Sequence, residues 1–524
     1  MAESEGDQSL CGPPRPGATV VPRAQDAPSS ASAEKPTDAL SSSAAGVTAM
    51  RGGALRVGGY AIGLLASMGS AALLFRHLGV VDTGRYVTAL SLVAIVGGLS
   101  DLGITAFGVR EISTRPPHER WPLARDLLGL RITLTILGGI VVTAIAWAAY
   151  SHVIAVGVAL ASVGLLFQVT QDNFALPLLV ELRLGWVAVL DLTRQLLTAL
   201  LIVVLVFLGS QLLPFLGVSI PVGLVVVAIA ALLVRRTRTL TPTFSWRRWR
   251  TFMSAILPYS AASAAAVLYF RISVLLVSAL SNSVQLGYFS ASFRIIEAGT
   301  VVPGLLVGSA FPIFARAAHQ DHDRLAYAIS RVFHSALIAG AWVATSIAVG
   351  APLAIAIIGG ARFAAAAPVL AIQGIGLGAM FVNVVWGYAL LSLRLYRSIL
   401  LINLGALVLN VALVAPLVIV DGARGAAIGT AVVEVILTVV EAVAVVRGRP
   451  YLRPSLRILP FVVLATAAGL APLAMSNVAV ILRLLTSTAL FGAVVLFTRS
   501  FPPELLDLVP RLGSRSRRSR DGQP

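Results

Sequence analysis

Charge is scarce in this chain, and negative charge is scarcest. Of 524 residues, 23 are Asp or Glu and 40 are Lys or Arg, so charged side chains make up only 12%. A soluble globular chain carries roughly twice that share. Three or four soluble domains, the expectation from length alone, are therefore excluded, because the charge that would face water over several such surfaces is missing. Lysine is almost absent as well. Lys35 stands alone, so nearly all the positive charge is arginine. Codon bias in a GC-rich genome explains such a skew, and the choice of Arg over Lys at any one position then says little. Cys11 is the single cysteine, which excludes an intrachain disulfide and a thiolate metal site. The six histidines, His77, His118, His152, His319, His322 and His334, lie in or beside loops without an HExxH spacing. No metal site and no catalytic residue is expected from them.

What the chain has instead is apolar length. Apolar residues reach 57% and the mean hydropathy is +0.89, so lipid must be the solvent. Residues 1–53 are rich in Ser, Ala, Pro and Gly, have no apolar period, and read as a disordered cytoplasmic tail. No signal-peptide core follows the first residues. A crossing needs about 20 mostly apolar residues. Fourteen runs qualify, at about 54–76, 86–108, 127–149, 153–178, 186–208, 213–234, 253–279, 287–312, 330–350, 366–391, 398–420, 425–446, 458–475 and 478–498. A further short stretch, Leu353–Ile358, is expected to lie at the outer interface.

Loop charge sets the orientation. The tails and even-numbered loops hold thirty Arg and Lys residues, and the odd-numbered loops hold four: Arg76, Arg85, Arg362 and Arg424. This asymmetry places both termini in the cytoplasm and makes the chain a multi-pass protein of the cell membrane. It also accounts for the net charge of +17 without nucleic acid, since the basic clusters carry no interleaved aromatics for base stacking. No loop is long enough for an external catalytic domain, so function must reside between the helices.

The chain repeats itself. Glu181-Leu-Arg-Leu-Gly-Trp186 opens the fifth run and Ser392-Leu-Arg-Leu-Tyr-Arg397 the eleventh, an offset of 211. Gly84-Arg-Tyr86 and Gly287-Tyr-Phe289 stand 203 apart. Two matches, each six spans apart, predict two six-helix lobes of the same orientation with a site at their interface. The expected organisation is an all-α polytopic membrane protein with a tail at 1–53, lobes at 54–234 and 253–446, an appended hairpin at 458–498 and a basic cytoplasmic tail at 499–524.

Charges inside a bilayer are costly and face a partner or a watery cavity. Arg271 in the seventh run and Arg294 in the eighth lie at one depth, roughly 12 Å below the outer surface. Two guanidiniums there repel unless an anion or carboxylate joins them. Glu297, three residues beyond Arg294, offers a local ion pair. The alternative is a cationic cavity floor that holds a phosphate, for which the planar guanidinium fork is well shaped. A second cluster, in the cytoplasmic half, has Asp172 near the end of the fourth run and Asp191 with Arg194 in the fifth, again spaced for a local pair. Glu434 sits in mid-span with no neighbour in sequence to neutralise it. Asn403, Asn410, Gln373 and Asn383 read as hydrogen-bond glue between helices or as ligands. Arg76, at the end of the first run, is expected to snorkel. Pro258 and Pro303 are expected to kink their helices.

Three blocks resemble the polysaccharide flippases of the multidrug/oligosaccharidyl-lipid/polysaccharide exporter superfamily. The first is Phe75-Arg-His-Leu-Gly79 through Gly84-Arg-Tyr86, Gly98-Leu-Ser-Asp-Leu-Gly-Ile104 and Val109-Arg-Glu-Ile112. The second is Leu257-Pro-Tyr259, Tyr269-Phe-Arg-Ile272, Leu286-Gly-Tyr-Phe-Ser-Ala291, Phe293-Arg-Ile-Ile-Glu297 and Phe311-Pro-Ile313. The third is Phe363-Ala-Ala-Ala-Ala-Pro-Val-Leu370, Leu409-Asn-Val411 and Gly422-Ala-Arg-Gly-Ala-Ala-Ile428. Together they cover about 54–446. The resemblance implies a V-shaped two-lobed bundle that moves a polyprenyl-diphosphate-linked oligosaccharide from the inner to the outer leaflet, with membrane lipids around it and glycan-assembly enzymes as further partners. It implies no cofactor and no nucleotide hydrolysis, in keeping with the lack of a GxxxxGK[ST] loop. Ser273 stands where the family often has an acid, which leaves ion coupling at that position unsupported. The alternatives on the same fold are an ion-coupled multidrug antiporter and a lipid II flippase, the latter sharing the fourteen-span count. An antiporter site for cations would favour carboxylates and aromatics over paired arginines.

Overall fold

A computed structural model describes residues 43–498, except 102, 105–107, 109, 110, 113–116, 181, 182, 236–240, 309, 476 and 477. The expected tails, apart from residues 43–53, lie outside these residues. Every described element is helical, as lipid demands of a backbone that has no water to bond. The helices are α1 (Ser43–Asp101), α2 (Pro117–Ala149), α3 (His152–Val180), α4 (Leu184–Phe207), α5 (Leu212–Gly217), α6 (Ser219–Arg235), α7 (Trp246–Leu280) and α8 (Ser283–Gly299). They continue with α9 (Val301–Gly308), α10 (Phe311–Gln320), α11 (His322–Ile358), α12 (Ala367–Ser392), α13 (Tyr396–Arg447), α14 (Leu459–Leu470) and α15 (Val480–Phe497).

Twelve helical segments among the described residues are long and apolar enough to cross a membrane. Their outward faces carry large apolar side chains, such as Phe207, Val420 and Phe497, the last 91% exposed. Water would penalise this surface, and lipid does not.

Two of the twelve are not single rods. α13 has 52 residues and non-helical dihedrals at Asp421 and Gly422. A β-carbon on Gly425 would collide with the Leu417 carbonyl, and one on Gly429 would meet Val414. Residues 417 and 425 of a straight helix would stand about 12 Å apart, so α13 folds back on itself. α1 breaks at Gly79, whose φ of 74° belongs to the left-handed region. Ser70 and Ala94, on either side of that break, line one cavity, so α1 is a hairpin too.

The break in α1 is tied down. Arg76 donates from Nη2 to the carbonyls of Ala356 and Ile357 at 2.9 and 2.8 Å. These are among the last carbonyls of α11, at the helix end that attracts a cation; the Ala356 carbonyl also accepts from the Gly360 N–H at 3.2 Å. Arg76 therefore caps a distant helix, where the sequence suggested snorkelling. The short stretch 353–358 is likewise not a separate interfacial piece. It is the last turn and a half of α11, which continues through Pro352. Around Pro258, α7 continues as one helix. The run containing Pro303 does break: α8 ends at Gly299, the residue whose carbonyl the Pro303 ring would strike.

Helices α2, α3, α4, α5 and α6 pack on one another, and α7, α8, α11, α12 and α13 form a second packed set. α14 and α15 pair and lie against α11, with Ile338 of α11 buried among Val462, Ala465, Phe491 and Val495. Close approach within the second set depends on glycine. A β-carbon on Gly340 would overlap the Gly378 carbonyl, and one on Gly378 the Gly340 carbonyl.

The turns before α4 and α13 share a backbone geometry, one residue out of the register of the Leu-Arg-Leu strings. Arg183 (φ −80°, ψ 50°) and Leu395 (φ −83°, ψ 50°) precede α4 and α13 with nearly identical dihedrals. Each donates its N–H five residues back, to Leu178 at 2.8 Å and to Leu390 at 3.0 Å. The matching turns are thus 212 apart, whereas the Leu-Arg-Leu strings are 211 apart. Arg394, at φ 57°, is the one non-glycine in the left-handed region among the described residues. It provides the reversal that ends a helix in this way.

Candidate functional site

The seventh and eighth runs meet at a tight turn. Asn282 accepts hydrogen bonds from the backbone N–H groups of Val284 and Gln285, at 3.1 and 2.9 Å, and so starts α8. This cap sets the two helices side by side and brings Arg271 of α7 to Glu297 of α8, 26 residues on.

Glu297 holds both arginines. Its Oε1 accepts from Arg271, and its Oε2 accepts from Arg294 at 2.8 Å. The local pair and the two-arginine floor, read as alternatives from the sequence, are both present. A guanidinium has five N–H donors, so one carboxylate leaves most of them for other acceptors. Arg294 spends one on Ser67 of α1, at 2.7 Å. Arg271 lies 5.5 Å from the ring centroids of both Phe270 and Phe293, and these rings favour its charge and fix its position.

A cavity of about 350 Å³ opens beside this cluster, lined by Arg271, Arg294, Glu297, Ser67, Tyr86 and Arg194 among others. The sequence placed Arg194 in a separate, deeper cluster. The structure brings it into the same cavity, from α4. Its pair with Asp191 is loose, at 3.5 Å, and its buried Nε has no hydrogen-bond partner. Three guanidiniums thus line the cavity with one carboxylate, Arg194 being loosely held by Asp191 just outside it.

Asp191 lines a second cavity, of about 380 Å³, with Asp101, Arg131, Gln171 and Asp172. Arg131 is buried and pairs with Asp101 at 2.9 Å. α4 is therefore a wall common to both cavities, which follow one another along one of its faces, with Asp191 lining the second and Arg194, one turn on, lining the first.

Glu434 lies apart from both. It is one wall of a small cavity, of about 60 Å³, that also contains Gln373 and Asn410. Tyr269 donates to its Oε1 at 2.6 Å and Asn383 to its Oε2 at 2.7 Å. Tyr269 and Arg271 are two residues apart, about 200° round α7, which is why one helix feeds two unrelated carboxylates. Asn383 bonds helix to helix, as do Asn403, through the Ala262 carbonyl at 3.2 Å, and Asn410, through Ser273 at 3.1 Å. The sequence did not single out Ser67, Asp101, Arg131 or Tyr269. Of these, Arg131 and Asp101 carried a usable signal, being charges within an apolar run.

The bundle with a polar cavity between its helices is the architecture of a membrane transporter. Residues 49–318 match the family model described as "Polysaccharide biosynthesis protein", and the chain belongs to that family. Its fold is similar to that of the lipid II flippase MurJ in an inward closed conformation, with a TM-score of 0.69 and 12% identity, over 86% of this chain and 99% of that one. It is also similar to an inward-facing multidrug resistance MATE family transporter of the MOP superfamily, with a TM-score of 0.60 and 14% identity, over 74% and 94% of the two chains. An outward-facing MATE transporter of that superfamily aligns with a TM-score of 0.52 and 15% identity, over 77% and 95%. A search of curated protein sequences finds no match. The chain is a multi-pass membrane protein with the fold of these transporters.

Proposed function

We propose that this protein is a flippase of the cell membrane. It moves a polyprenyl-diphosphate-linked oligosaccharide from the inner to the outer leaflet by alternating access, and it performs no chemistry on its cargo. The observation that carries this reading is the cavity of about 350 Å³ with Arg194, Arg271 and Arg294 against the single acid Glu297. Even with Asp191 loosely paired to Arg194, the guanidiniums outnumber the carboxylates that hold them, which suits a diphosphate. The planar forks bind its oxygens in pairs, and aromatic contact keeps Arg271 in place. The prenyl tail would remain in lipid.

Several structural features support the two-lobe organisation: the packing of α2–α6 as one set and of α7, α8 and α11–α13 as another, and the matched turns before α4 and α13. Counting the folded-back α1 and α13 as two crossings each supports fourteen spans, and the thirty-to-four loop charge favours cytoplasmic termini. Glycan-assembly enzymes would supply the cargo on that side.

The second reading is an ion-coupled antiporter for cationic compounds. The cavity with Asp101, Asp172 and Asp191 favours it. A leaflet assay separates the two. Purified protein in vesicles is given a polyprenyl-diphosphate oligosaccharide, and external sugar is followed with an impermeant lectin. Protein-dependent appearance, lost in Arg271→Ala, supports the flippase. Movement of small cations without glycan supports the antiporter.

A further inference from the structure

The cavity beside the first turns of α4 is not explained by anion binding. Among the described residues its wall holds three carboxylates, Asp101, Asp172 and Asp191, and one guanidinium, Arg131, while Arg194 pairs loosely with Asp191 from the first cavity. Asp101 and Arg131 pair at 2.9 Å. Asp172 makes no hydrogen bond or ion pair among the described residues. Gln171, only 1% exposed, presents an Oε1 with no hydrogen-bond partner. Ionised carboxylates and an amide oxygen are acceptors only. An unmet buried acceptor is unfavourable, so the wall calls for a ligand rich in donors.

Volume narrows the class. About 380 Å³ falls within the usual range for small organic ligands, roughly 300–1,000 Å³. No group of acids and histidines among the described residues is arranged to hold a metal ion. A sugar meets both conditions, with hydroxyls that donate in pairs to carboxylates. Position narrows it further. Asp191 and Arg194 are one turn apart on one helix, and each faces a different cavity. A ligand with its diphosphate on Arg194 therefore has its next chemical unit beside Asp191.

We infer that this second cavity is a sugar subsite. It receives the glycan residue linked to the diphosphate through Asp172, Asp191 and Gln171, and its formal excess of negative charge favours a sugar with a free ammonium over its N-acetylated form. This inference rests on the flippase reading and adds substrate selection to it. In the diphosphate cavity the arginines hold any cargo of the class. In the sugar cavity the acids choose among cargoes.

The test measures binding to the purified full-length chain in detergent. The probes are a radiolabelled short-chain prenyl diphosphate and the same lipid carrying one hexosamine, free or N-acetylated. The sugar is expected to tighten binding at least tenfold, and more for the free amine. Asp172→Asn and Gln171→Leu should each erase that gain while changing binding of the bare diphosphate less than twofold. Arg271→Ala should weaken all three probes. Equal binding of bare and sugar-bearing lipid by the unaltered protein overturns the subsite, leaves the flippase reading standing, and requires no variant to fold. Failure to bind any of the three overturns both. A gain that follows added sodium and not the sugar assigns the cavity to a hydrated cation and also overturns the subsite.

Discussion

Two glutamates in the second packed set of helices show how one side chain performs different work. Glu297 is joined to two guanidiniums, beside a cavity of about 350 Å³. Glu434 is joined to a phenol and an amide, beside one of about 60 Å³. Glu297 is held by more positive charge than it can neutralise, so it presents a surplus of N–H donors to open space. Glu434 is held by neutral donors in a space too small for a headgroup. It links α7, α12 and α13 and has nothing to offer a ligand. A charged residue in a membrane is thus a site when its partners outnumber it and a cavity adjoins it. Otherwise it is a pin.

Breaking the first arrangement should have the largest effect. Arg271→Ala or Arg294→Ala should reduce glycan transport in vesicles at least about thirtyfold, the consequence of removing one partner of a desolvated charge contact, about 2–5 kcal/mol. Membrane insertion should be unchanged. If Arg294 served only to neutralise Glu297, the double variant with Glu297→Ala would regain transport, which is the result that would sink the cationic-floor reading. Glu297→Gln sharpens the contrast. It leaves two guanidiniums unbalanced, so the thermal midpoint should fall by a stability loss of about 1–3 kcal/mol, discounted for partial exposure of the cluster. The same change should strengthen retention of a prenyl diphosphate and slow its release, measured as a lower Kd with a lower turnover. A weaker Kd would remove Glu297 from its balancing role.

The sequence exposed the charges but not all of their addresses. Arg271, Arg294 and Glu297 could be grouped because a short hairpin and a helical spacing of three fix their neighbourhood locally. Depth counted along a helix then misplaced Arg194, since depth carries no information about which way a helix faces or how it tilts. The partners of Glu434 were hidden because Tyr269 and Asn383 are 165 and 51 residues away, and neither is unusual in an apolar run. The fold was more legible. Lipid imposes helices of a minimum length, and charge separates the loops, so hydropathy alone located nearly every element. What it could not see was that the expected loop between the first two runs is helical up to a single break at Gly79, or the cap that Arg76 places on α11.

The remaining tests probe the pin and the cap, where smaller effects are expected. Tyr269→Phe keeps the ring and removes one hydrogen bond to a buried carboxylate, so stability should drop by about 1–3 kcal/mol while glycan transport stays within severalfold of normal. Combined with Asn383→Leu, the losses should be non-additive, because both donors serve one carboxylate. Strict additivity in thermal unfolding would show that the two act on Glu434 independently. Arg76→Ala should do least to stability, since the side chain is exposed and water can bond the freed carbonyls of Ala356 and Ile357. Its effect should appear in the cycle instead. The contact joins the first hairpin to the end of α11, and loosening it should shift the balance between conformations. Joining cysteines introduced at 76 and 357 with a bifunctional thiol reagent that spans an arginine's length should then cut transport. If the crosslinked protein transported normally, the cap would be a static contact, and the moving seam of the molecule would have to lie elsewhere.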